Sequence, residues 1–251
     1  VLAGDIIYAI DDQEVWTEDA DSVAMKLRGA AGTKVKLTVV RDKERLDFTL
    51  TREEINNVAA DYVMDGNTAI LSVYRFSKDT GTLIEKLAKE FKDKGATKVI
   101  VDLRGNGGGY VSAARTMLSL WIDNDTVLTT KGKGGSTTST SAYSGKAILS
   151  DTKTVVLVNS STASASEIVA GALQDYDKAT IVGETTFGKG VVQTMLPFDD
   201  GSILKVTTAH WYTPKGNSIN GTGITPDVEV ERTYEQINKN IDPQLEKAKS
   251  L

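Results

Sequence analysis

The 251 residues contain no cysteine and one histidine, His210. Without thiols, disulfides, thiolate zinc sites and cysteine nucleophiles are excluded. Any serine–histidine–acid triad would have to run through that single imidazole. No second histidine shares a site with it and no carboxylate pair has ligand spacing around it, so no metal site and no cofactor are expected. No apolar run approaches the ~20 residues that cross a bilayer. No basic run stands out either, and a formal charge of −5 argues against a nucleic-acid partner. The opening, VLAGDIIYAIDDQEV, reads as strand and turn rather than as a signal peptide. The absence of cysteine leaves the compartment open.

What is present falls into two rhythms. In residues 1–52, AGDIIYAIDD reads as strand and turn, and TEDADSVAMKLRG as a short helix capped by Thr17 and stopped by Gly29. KVKLTVVRDKERLDFTL alternates as a hairpin, with Val35, Leu37 and Val39 on one face and Leu46, Phe48 and Leu50 after a charged turn. A block this short has little core of its own. Residues 53–68 carry no clear pattern and are expected to be a linker.

From residue 69 to 235, strands and helices alternate. AILSVYRF, KVIVDLRG, TVVLVNS and ATIVGE read as strands. TGTLIEKLAKEFKDKG, YVSAARTMLSLWI and SEIVAGALQDY read as helices. KVIVDLRG is nearly unbroken in apolar residues, as in a strand covered on both faces. This alternation predicts an α/β sheet with crossover helices. The Gly/Ser/Thr-rich stretch 131–145 reads as a surface hairpin, and 236–251 as a closing helix. His210 lies in an alternating stretch, which suits a structural histidine at a sheet edge.

Three loops follow apolar strands and carry small or polar residues. In NSSTASASEIVAGAL, Ile168, Val169 and Ala172 fix a helix that starts close to Ser164. A serine there is either one of a cluster of caps or a nucleophile beside backbone N–H groups that stabilise an oxyanion. In GETTFGKGVVQ, Lys189 stands between two glycines, which let a backbone pass close to a neighbour. A solvated loop lysine is one reading. A desolvated lysine serving as general base to a serine is the other. DLRGNGGGYVSAAR offers backbone N–H groups at a helix N-terminus. It is not a P-loop, because no lysine and hydroxyl follow the glycines.

Together, VDLRGNGGG, STASASEIVAGALQDYDKATIVGETTFGKGVVQ and WYTPKGNSINGTGITPDVEV resemble, in order and spacing, the C-terminal processing peptidases, or tail-specific proteases. The resemblance spans about residues 98–230, and DPQLEKAKSL resembles the family's closing helix. It implies a crotonase/ClpP-like α/β protease core preceded by a partial, mainly β PDZ domain in residues 1–52, the rest of which would lie upstream of Val1. It makes Ser164 the nucleophile and Lys189, 25 residues on, the general base. Gln193 would orient that lysine, and the N–H groups of Gly108 and Ala165 would form the oxyanion hole. Asp175 matches an aspartate that matters in some members. Substrates would be unfolded or loosely folded proteins with apolar C-termini, with no cofactor. The location would be extracytoplasmic, with a membrane anchor possible upstream. Two other readings remain open: a crotonase-like acyl-CoA enzyme, and a catalytically silent scaffold that binds protein tails.

Overall fold

A computed structural model describes residues 1–54 and 58–251, and the chain divides into two compact units. The first comprises Val1–Asn57 together with Arg232–Asp242; the second comprises Val58–Glu231 together with Pro243–Leu251. Part of the expected linker, residues 55–57, lies outside the described residues.

The first unit opens with β1 (Ile6–Ile10), β2 (Gln13–Glu14), α1 (Ala20–Leu27), β3 (Lys34–Arg41) and β4 (Glu44–Thr51), its strands forming an antiparallel sheet in the order β2-β1-β3-β4. Helix α1 is capped by Asp19, not Thr17: the Asp19 carboxylate accepts the Ser22 N–H at 3.0 Å. The hairpin has the expected register, with Val35, Leu37 and Val39 buried and paired with Leu50, Phe48 and Leu46. Arg41 binds Asp5 through two hydrogen bonds of 2.6 and 2.8 Å. These, with a further bond from the Leu2 N–H, hold the Asp5 carboxyl down to about 2.

The second unit is built on β5 (Ala60–Asp65), β6 (Thr68–Val73), α2 (Thr80–Asp93), β7 (Lys98–Asp102), α3 (Val111–Leu118), β8 (Thr126–Gly132), β9 (Thr137–Ser141), β10 (Lys153–Val158), α4 (Ala165–Asp175), β11 (Thr180–Gly183), β12 (Val191–Pro197), β13 (Ile203–Tyr212) and β14 (Val228–Glu229). Its main sheet runs β14-β11-β10-β7-β6-β5, parallel throughout except for β5. The unbroken apolar runs are explained by cover on both faces. Val99, Val101, Val156 and Val158 pack with α2, α3 and α4, whereas Ile100, Val155, Leu157 and Val182 form a separate cluster.

Several expectations are corrected. The stretch taken as a linker contains β5, paired antiparallel with β6. The chain closes not with one helix over 236–251 but with two. These are α5 (Tyr234–Asn238), which belongs to the first unit, and α6 (Pro243–Ser250), which belongs to the second. Asn240, at φ 54°, and Pro243, which suits the first turn of a helix, make the break. Residues Ala248 and Leu245 of α6 cover the second face of the main sheet. A second, antiparallel sheet runs β12-β13-β8-β9, with β8 and β9 forming the hairpin expected in the Gly/Ser/Thr-rich stretch. His210 is on β13, which has a strand on each side, so it is not at a sheet edge.

Candidate active site

The loops 104–110, 159–164 and 184–190 follow the carboxyl ends of the parallel strands β7, β10 and β11. That end of an open parallel sheet is where ligands collect. A cleft of about 510 Å³ opens here, and Gly108, Ser164, Lys189 and Gln193 all line it, with Phe76, Val111, Ile168, Met195, Lys205 and Trp211.

Ser164 stands at the head of α4 with φ 57° and ψ −118°. Few L-residues adopt such a conformation, which costs about 1–3 kcal/mol and persists where its surroundings over-determine it. The first turn of the helix is closed through backbone atoms. The Ser164 carbonyl accepts the N–H groups of Glu167 and Ile168 at 2.9 and 3.0 Å, and Ala163 accepts that of Ser166 at 3.2 Å. The Ala165 N–H is left without a partner among the described residues, at the positive end of the helix dipole.

Beneath the serine lies a residue the sequence reading passed over. Glu167 is fully buried, and its carboxylate accepts four hydrogen bonds. Oε2 takes the N–H of Ser164 at 2.8 Å and that of Lys189 at 2.9 Å. Oε1 takes the Thr186 hydroxyl at 2.6 Å and the Gly188 N–H at 2.7 Å. Filling the acceptor sites in this way is what makes burying a carboxylate tolerable. Its sequence signal was the Ser-x-x-Glu spacing of a capping box.

Half-buried Lys189 is held by backbone as well. The buried Trp211 donates its indole N–H to the Lys189 carbonyl at 2.9 Å. A Cβ on the neighbouring Gly190 would come within 2.7 Å of Asn220, so the loop can lie this close only with glycine there.

The glycine loop is tied to α4 by Asn106, which is fully buried. Its carbonyl accepts the Ala163 N–H and the Ser166 hydroxyl, each at 3.0 Å, and its amide donates to the Val73 carbonyl at 2.7 Å. Its Oδ1 accepts the Gly108 N–H at 2.9 Å. Gly108 has φ 97°, and a Cβ there would lie 2.6 Å from the Ala163 carbonyl oxygen and 2.8 Å from the Ser164 Cβ.

Gln193 is exposed, just beyond a bulge between Val192 and Gln193, and pairs across with Thr207. Among the described residues no hydrogen bond joins the Ser164 hydroxyl, the Lys189 amine and the Gln193 amide. Asp175 is elsewhere, at the far end of α4, where its carboxylate accepts the Lys215 N–H at 2.7 Å.

The model of peptidase family S41 matches residues 67–230, and a PDZ-domain model matches residues 1–41. A protein of Staphylococcus saprophyticus named "Probable CtpA-like serine protease" is 37% identical over 238 residues, covering 93% of this chain and 48% of that protein. One of the same name from Staphylococcus aureus is 40% identical with the same coverage. The chain thus spans about half the length of these curated relatives. Among solved structures, the photosystem II D1 C-terminal processing protease superposes with a TM-score of 0.74 at 30% identity, covering 91% of this chain and 64% of that one. A lipoprotein from Streptococcus agalactiae, at a TM-score of 0.64 and 20% identity over 78% of this chain and 69% of its own, shares the fold.

Proposed function

The chain belongs to peptidase family S41, and on that premise we propose that it is a serine endopeptidase of the C-terminal processing type, with Ser164 as nucleophile and Lys189 as general base. The observation that carries this reading is the buried Glu167 carboxylate, one oxygen of which binds the backbone N–H of both residues. A single group therefore sets the spacing between the two loops, which is the positioning that dyad catalysis requires.

In the proposed reaction the Ser164 hydroxyl adds to a peptide carbonyl while the uncharged Lys189 amine takes its proton. The oxyanion accepts the Ala165 N–H at the helix end, and the Gly108 N–H completes the hole once it turns from Asn106 Oδ1 to the substrate. Collapse expels the leaving amine, which takes the proton from Lys189. Water, deprotonated by the Lys189 amine, then adds to the acyl carbonyl, and the ester bond breaks as that proton passes to the Ser164 oxygen. Gln193 orients the lysine as the substrate fills the cleft. The chemistry calls for no metal or cofactor.

Substrates in this reading are unfolded or loosely folded proteins with apolar C-terminal tails. Residues 1–52 are proposed as part of a PDZ domain that receives the tail by strand addition. An extracytoplasmic location is part of the same proposal. It draws on the name of the photosystem II D1 processing protease.

The test is cleavage of an unstructured protein with an apolar C-terminus by this chain and by Ser164→Ala and Lys189→Ala. Each variant should lose about 10³-fold or more in kcat/KM. Binding of the tail without cleavage by the parent would favour the silent scaffold, and turnover of an acyl-CoA by Ser164→Ala the crotonase-like enzyme.

A further inference from the structure

Two charged side chains line the cleft, Lys189 and Lys205, and no carboxylate does. Lys189 has a part in the chemistry proposed above. Lys205 has none there, and among the described residues its side-chain amine has no ion pair and no hydrogen bond. It lies on β13 directly opposite Met195 of β12. Facing pairs of an antiparallel ladder project to the same side, and Met195, like Gln193 two residues earlier, lines the cleft. Lys205 is therefore an uncommitted ammonium on the cleft side of the hairpin. The large side chains elsewhere in the cleft lining are mostly apolar: Phe76, Val111, Ile168, Met195 and Trp211.

We propose that Lys205 is a specificity-determining residue that selects substrates bearing a carboxylate a few residues from the scissile bond. The inference rests on the peptidase reading. Met195 stands six positions beyond Lys189, the last five of them in β12. At ~3.3 Å per residue, less the shortening at the bulge and the reach of a lysine side chain, an extended substrate would place its carboxylate about four to six residues from the bond cut. An Asp or Glu side chain and the terminal α-carboxylate offer the same chemistry.

The experiment uses short quenched-fluorescence peptides with apolar residues around the scissile bond. One is neutral and amidated, one carries Glu about five residues from the bond, one ends there in a free carboxylate, and one carries Lys in place of Glu. The parent should cleave the carboxylate peptides with kcat/KM about threefold to tenfold above the neutral one, the difference residing in KM. Comparing the Glu peptide with the free terminus identifies which carboxylate is read. Lys205→Glu should invert the order in favour of the Lys peptide. Identical preferences in parent, Lys205→Gln and Lys205→Glu would overturn the proposal, since a lysine that only keeps a strand soluble has no effect on selectivity. The same peptides are also titrated by fluorescence anisotropy against Ser164→Ala with and without Lys205→Glu. That arm reads Lys205 without turnover, so a parent that cuts nothing overturns the peptidase reading, and Lys205 is then judged by binding.

Discussion

Helix α4 borders a cavity at each end. At its N-terminus is the cleft of about 510 Å³ with Ser164 and Lys189; at its C-terminus, Gln174 and Asp175 border a groove of about 870 Å³ rich in charge. The groove is larger and more polar, yet several of its polar groups are committed to fastening chain segments together. Asp227 accepts the Gln174 amide and the Ile181 N–H at 2.8 and 2.7 Å, Asp175 accepts the Lys215 N–H, and Lys178 donates to the Ser150 carbonyl at 3.2 Å. In the cleft the division is reversed: the backbones of Ser164 and Lys189 are held from below by the Glu167 carboxylate, and among the described residues no hydrogen bond joins their two side chains. Size is the usual first guide to a site. Here the better guide is a reactive side chain above a fixed main chain.

That comparison can be broken in three ways. Glu167→Gln has the largest expected effect, because an amide cannot accept at both ends and its one nitrogen would face N–H or O–H donors. It should cost about 3 kcal/mol in stability, read by thermal unfolding, and, on the proposed peptidase reading, roughly 10²-fold in kcat, read by steady-state kinetics. Gly108→Ala comes next. Its Cβ would meet Ala163 and the Ser164 side chain at a backbone angle that alanine resists. The expected loss is about 1–3 kcal/mol, with kcat down roughly tenfold and KM little changed. Asp175→Asn should do least, leaving kcat/KM within about twofold and stability within about 1 kcal/mol, since the amide oxygen can still accept the Lys215 N–H. Full loss of cleavage in Asp175→Asn would sink the distinction between the two ends of the helix.

The elements that define the second unit were legible because period and length agree. Thr80–Asp93 has one apolar face, and Lys98–Asp102 is apolar on both. Strand β5 escaped because its stretch is short, lies at a sheet edge, and blurs the apolar alternation of Ala60, Tyr62 and Met64 with an exposed Val63 between Asp61 and Asp65. Thr17 and Asp19 are both plausible caps in sequence, and only the position of the Ser22 N–H decides between them. In the site, residue type left Ser164 and Lys189 each open to two readings, and it was the resemblance to a known family that singled them out. Glu167 and Asn106 could not be weighed, because their roles lie in contacts across distant segments: Glu167 reaches residues 186–189, and Asn106 reaches Val73.

The glycine loop also bears on how the protein ages. Asn106 is followed by Gly107, the pairing in which an asparagine amide is most easily attacked by the next residue's backbone nitrogen, since glycine offers no steric shield. The outcome is a succinimide and then a carboxylate. Here the amide is sealed from water and fastened at both of its ends. The attack requires side-chain and backbone rotations that this packing forbids. Chemical lifetime at this position is therefore set by how often the loop opens, and each opening exposes an asparagine whose conversion would bury a new negative charge against the loop that carries Ser164.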